Sequence, residues 1–171
     1  MKKIYIILSY SGTVPAKIIK TFTHYEYSHV SIALKSDLKI MYSFGRKKVN
    51  NPLNGGFIIE SKNGEFYKKF NKTYCAILEL EITNKQYNRL LKIINRYKRD
   101  IEIYKYDMLG LVLRIFNKKL NRENYKVCTE FVASVLEKSE IHKFDNKIVK
   151  PVDFMSIPNI KIIYQGKLLN Y

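Results

Sequence analysis

Hydrophobic residues recur along this chain with two periods. Residues 3–9 are rich in Ile and Tyr with little alternation, which suits a strand covered on both faces. Residues 27–34 alternate: Val30, Ile32 and Leu34 point one way, and His29, Ser31 and Ala33 the other. Residues 40–44, 57–61, 74–82 and 160–164 have the same extended character. Turns are expected at Ser36-Asp37 and Asn63-Gly64, with a loop across residues 50–56. Gln165-Gly166-Lys167 reads as a hairpin turn into a last short strand at 168–171. Cys75 lies inside the 74–82 strand among apolar neighbours, a packing position.

Helical spacing takes over between these runs. Thr13 is placed to cap a helix with Pro15 early in it, and Ile18, Ile19 and Phe22 give that helix an apolar face as far as Thr23. Thr83 and Gln86 match a capping box. The helix after it carries Tyr87, Leu90, Leu91, Ile94 and Tyr97 on one face and Lys and Arg on the other. Residues 104–116 read as a further apolar helix, followed by a basic loop. Phe131, Val132, Val135 and Leu136 then recur at helical spacing. No repeat, linker or low-complexity block interrupts the pattern. The expectation is one α+β domain over residues 1–171, with a central antiparallel sheet packed on about four helices.

The last of those helices begins at the residue that carries chemistry. Cys128 precedes the run from Phe131, so it falls in the first turn. A helix start presents unpaired N–H groups and the positive end of the macrodipole, and both favour a thiolate. A thiolate needs a base, and the base needs a group to orient it. Of the three histidines, His24 ends the first helix and His142 lies in a polar loop, so both are expected at the surface. His29 opens a strand beside the small residues Ser31 and Ala33, which leave room for its ring. It is either the base or a strand histidine with one hydrogen bond.

Composition bounds the partners. The net charge is +16 over 171 residues. The basic residues are mostly lysines scattered through nearly every segment, in a chain rich in Ile, Asn and Tyr, as AT-rich coding alone would give. No helix-turn-helix, zinc or aromatic-platform signature accompanies them, so charge does not argue for nucleic acid. An anionic membrane surface stays open as a partner. Two cysteines exclude a disulfide scaffold. Two lysines before a short apolar run begin the chain like a signal peptide. That run falls short of the roughly 7–15 residues required, so a cytoplasmic protein is expected. Nothing calls for a metal or cofactor.

Tyr27-Ser-His29-Val-Ser-Ile-Ala-Leu, followed far downstream by Val127-Cys128-Thr-Glu-Phe-Val-Ala, resembles the circularly permuted branch of the NlpC/P60 papain-like superfamily. That branch includes lecithin:retinol acyltransferase-like proteins and bacterial permuted papain-like amidases. Its order is His strand, polar strand, Cys helix, and the resemblance spans residues 1 to about 140. It implies a cysteine hydrolase or acyltransferase acting on an amide or ester bond: a cell-wall peptide, an N-acyl amino acid or a lipid. Cys128 would be the nucleophile and His29 the general base. The family has Glu or His on the next strand, where this chain has Ser43; Glu60 is the alternative. Glu130, just past Cys128, reads as structural. Tyr27, Tyr42 and Tyr125 flank the motifs and could line the substrate cleft. The missing acid leaves a second reading open, a non-catalytic module of the same fold on anionic lipid or polymer surfaces.

Overall fold

The computed structural model describes residues 1–23, 26–49, 51–115, 118 and 120–171, and within these not the side chains of residues 15, 18, 19, 22, 23, 52, 53 and 115. His24, Phe116 and the apolar face expected from Ile18, Ile19 and Phe22 thus lie outside the described residues.

Strands and helices follow in the order β1 (Lys2–Tyr10), α1 (Val14–Thr23), β2 (His29–Ala33), β3 (Met41–Lys48), β4 (Asn51–Glu60), α2 (Glu65–Lys69), β5 (Tyr74–Ile82) and α3 (Asn84–Arg99). After these come β6 (Lys105–Tyr106), α4 (Met108–Ile115), β7 (Tyr125–Lys126), α5 (Cys128–Lys138) and β8 (Lys161–Lys167). The strands form one sheet in the order β7-β6-β4-β3-β2-β1-β5-β8. The architecture is α+β, but the sheet is mixed, not purely antiparallel: β6 and β7 run parallel. Among the described residues five helices are seen where about four were expected, because α2 is a single short turn after Gly64 that carries little periodicity.

Burial explains β1. Ile4, Ile6 and Leu8 join one apolar layer and Tyr5 and Ile7 the other, so both faces are covered and alternation in hydropathy disappears. The first layer lies between the sheet and helices α3 and α5. There Phe131 of α5 meets Phe44 at 5.4 Å, Phe57 at 5.4 Å and Tyr97 at 5.0 Å between ring centroids. Each such ring buries enough area to dominate local packing. The cluster seats α5 against β2 and β3. The second layer gathers Ala33, Met41, Tyr67, Ile77 and Leu168 on the other face. Truncating a fully buried aliphatic in either layer would cost about 2–5 kcal/mol.

Local signals fare unevenly. Thr13 does cap α1, accepting from the Ala16 N–H at 3.4 Å, and Thr83 and Gln86 form the capping box of α3. Three expectations fail. Residues 51–56 are strand, not loop. Their glycines permit close strand packing: a Cβ on Gly56 would stand 2.3 Å from the Tyr104 carbonyl oxygen. Residues 104–116 are not one helix. Lys105 and Tyr106 pair in the sheet, and Asp107 starts α4 by accepting from the Gly110 N–H at 2.9 Å. The chain end makes no hairpin at 165–167, because β8 runs through Lys167 beside β5 and a 3-10 turn closes it.

Candidate functional site

Cys128 is the first residue of α5 and is buried. Two devices fix that helix start. Upstream, the parallel pair β6–β7 holds the incoming chain, with the Asp107 N–H donating to the Lys126 carbonyl at 3.0 Å. At the start itself, Glu130 reaches back and accepts the Val127 N–H at 3.2 Å. Glu130 also pairs with Arg114, and both side chains are largely buried. Its carboxylate therefore caps the helix, which makes the structural reading of Glu130 the right one.

His29 opens β2, with its side chain 24% exposed. Strand register places Gly45 beside it: a Cβ on Gly45 would lie 3.6 Å from the ring's Cε1, an ordinary contact, but 2.8 Å from Ile58 Cδ1, so the glycine makes room for Ile58. The Nε2 atom faces Glu60 Oε1 at 3.1 Å. Glu60 ends β4, two strands away in the sheet, and antiparallel pairing of β2, β3 and β4 brings it across. It is no free carboxylate. Ser31 donates to its Oε1 at 2.6 Å and the Tyr67 hydroxyl to its Oε2 at 3.1 Å. Burial pushes the Glu60 carboxyl up, but His29 and these donors outweigh it and hold it below the ordinary carboxylate range.

The imidazole is perturbed the other way. Burial lowers it, and the Glu60 charge together with hydrogen bonds to Cys128 and Glu60 overcomes that penalty, raising it to about 10. The ring is thus shared between the thiol and the carboxylate. Tyr67 is pushed well above its ordinary value, by burial first and by Glu60 second. Cys75 presents the contrast: fully buried in the second layer, its thiol is pushed up to about 12 by desolvation alone.

Ser43, the first choice for the third member, does not take that place. Its hydroxyl is buried and donates to the Val30 carbonyl at 2.6 Å, tying β3 to β2. The alternative, Glu60, stands against His29 instead. The tyrosines expected at the cleft also lie elsewhere. Tyr27 is in the core, stacked on Tyr74 with its hydroxyl accepting from Gln165. Tyr42 is in the core against Phe57. Tyr125 lies under the Arg122 guanidinium, 3.9 Å from its ring centroid, in a separate groove. His142 stacks edge-on with Phe144.

A cleft of about 660 Å³ opens at His29 and Glu60. Tyr106 lines it, a residue that strand and helix spacing gave no reason to select. Burial pushes its phenol far up, and the charge of Cys128 adds to that. Among the described residues no cluster of three or more His, Cys, Asp or Glu is arranged to hold a metal ion, and no helix is long and apolar enough to cross a membrane. No protein-family model matches this chain, and neither does any curated protein with which it was compared.

Proposed function

We propose that this chain is a cysteine hydrolase or acyltransferase of permuted papain-like architecture, cleaving an amide or ester through an acyl-enzyme on Cys128. One observation carries the reading: a single imidazole is bonded to a buried carboxylate that two further donors hold, and the thiol at the start of α5 is among the groups that raise that ring's pKa. A carboxylate with that many fixed partners orients a ring and stabilises its protonated form.

The steps follow from those roles. The Cys128 thiolate attacks the carbonyl carbon, and the oxygen takes the electron pair. The Cys128 N–H, unpaired within the helix as the first of its turn, donates to that oxyanion. The carbon–heteroatom bond breaks, and His29 gives its proton to the leaving amine or alcohol. Water, or an amine or hydroxyl acceptor, then loses a proton to His29 and attacks the thioester, and the acyl group leaves with the thiolate restored. Glu60 keeps the ring oriented throughout. The non-catalytic reading rests on a missing acid and on the basic surface; the Glu60 carboxylate beside His29 weakens the first ground and leaves the second.

The test is acylation. With p-nitrophenyl acetate, about one equivalent of p-nitrophenol per chain should appear as a burst, and mass spectrometry should find the acetyl group on Cys128. Iodoacetamide at pH 7 should alkylate Cys128 at least a hundredfold faster than Cys75. Equal labelling of the two thiols, unchanged by His29→Ala, would refute the proposal.

A further inference from the structure

The cleft is unusual in its charge. Ile58, Ile101, Met108 and Leu111 give it an apolar wall, yet Arg46 projects into it from β3, the residue after Gly45 beside His29. Arg46 is half-buried. One terminal nitrogen donates to the Val49 carbonyl at 3.3 Å and the other to the Thr13 hydroxyl at 3.4 Å, both long bonds to neutral groups. Its guanidinium lies 5.3 Å from the Phe66 ring centroid. No carboxylate comes within ion-pair range of it among the described residues, and no acidic side chain falls among those left undescribed.

Of the other charges in the cleft, Glu60 and Lys47 have partners, while the exposed Lys39 and Glu65 form no ion pair among the described residues. Glu60 is committed to His29, Ser31 and Tyr67. Lys47 pairs with Glu102 at 3.1 Å. Glu65 sits at the start of α2, outside ion-pair range of every cation among the described residues. Arg46 thus keeps a partly desolvated charge with no counter-charge. Burial lowers its pKa, so the charged form is being held at a cost. A fork of N–H donors stacked on an aromatic ring suits a planar or tetrahedral oxyanion, and an anion arriving there would offset that cost.

We infer that Arg46 is the anion-recognising residue of this cleft, which His29 lines and the buried Cys128 does not, so that the acyl compound entering beside His29 carries a carboxylate or phosphate group on an otherwise apolar body. This rests on the reading of Cys128 as nucleophile and narrows its substrate class. The bland role for Arg46 is a tie between the start of α1 and the β3–β4 hairpin. The two roles separate by charge: a tie is indifferent to the ligand.

The experiment uses N-iodoacetyl amino acids with one to four methylenes between amide and carboxylate, each against its uncharged carboxamide. The readout is the alkylation rate of Cys128 by mass spectrometry. At one spacing the carboxylate probe should label at least tenfold faster than the carboxamide. Arg46→Met should abolish that advantage and leave the carboxamide rate within about twofold; Arg46→Lys should keep part of it. A phosphonate of the same length identifies the source, since the faster of the two anions names a carboxylate- or phosphate-bearing substrate. The absence of any charge preference at every spacing, with Cys128 still labelled rapidly, would overturn the role of Arg46 alone. Equal slowing of both probes by Arg46→Met would assign it to the structural tie. Cys128 reacting no faster than Cys75 with every probe would overturn the nucleophile and the substrate class together.

Discussion

Replacing Glu60 by Gln keeps the shape of the site and removes one charge, so its consequences can be worked out. Lifting a histidine from 6.5 to about 10 corresponds to roughly 5 kcal/mol in favour of imidazolium. Burial works against that shift, so the attractions that produce it exceed the net, and removing the Glu60 charge should cost on the order of 3 kcal/mol, the usual range for breaking a largely buried pair. The sign depends on pH. The raised His29 gives stability fully present below about pH 6.5, lost as pH climbs through its folded value of about 10. The lowered Glu60 gives stability present above its ordinary range and lost as pH falls through its depressed value. The two overlap most completely near pH 5.5–6.5 on those ordinary values. Urea melts of wild type and Glu60→Gln should therefore differ by about 3 kcal/mol near pH 6, with the gap closing by more than half near pH 10. Acylation of Cys128 at pH 7 should slow by about 10²–10⁴, the usual worth of a positioned base. A stability gap that stays constant from pH 6 to pH 10, with acylation unchanged, would show that Glu60 is only packing and that His29 is not held protonated by it.

Tyr67→Phe removes one donor from the Glu60 carboxylate; it should cost about 1–2 kcal/mol in urea melts and slow acylation far less than Glu60→Gln. Ser43→Ala leaves the buried Val30 carbonyl unpaired and should cost about 1–3 kcal/mol with no change in Cys128 labelling, which separates the β2–β3 tie from the site. Glu130→Ala uncaps α5 and strands the largely buried Arg114 guanidinium, so a loss of about 3–5 kcal/mol is expected by thermal or urea melting. A rescue to within about 1 kcal/mol by the double change with Arg114→Met would confirm that the stranded charge, not the cap, carries most of that loss.

The chain order of residues was enough to select Cys128, since a thiol followed by a helical apolar run lies at a helix start wherever that helix packs. It was enough to select His29, because alternation set the ring on the face with Ser31 and Ala33. The caps at Thr13 and Thr83 are likewise local, made by side chains within three residues of their partners. These features need only neighbours along the chain.

What the tertiary structure decided is everything that depends on pairing across strands. Ser43 and Glu60 both lie on strands after His29, and only the β2–β3–β4 register brings the carboxylate to Nε2 while turning the serine hydroxyl onto Val30. Gly55 and Gly56 looked like a loop because glycine permits both turns and close packing, and nothing within the segment distinguishes the two. Tyr106 entered the cleft through two ladder residues, too few for any periodicity to reveal. Arg46 became conspicuous only once its surroundings were seen, because a cation without a counter-charge is defined by what the fold leaves out of its reach.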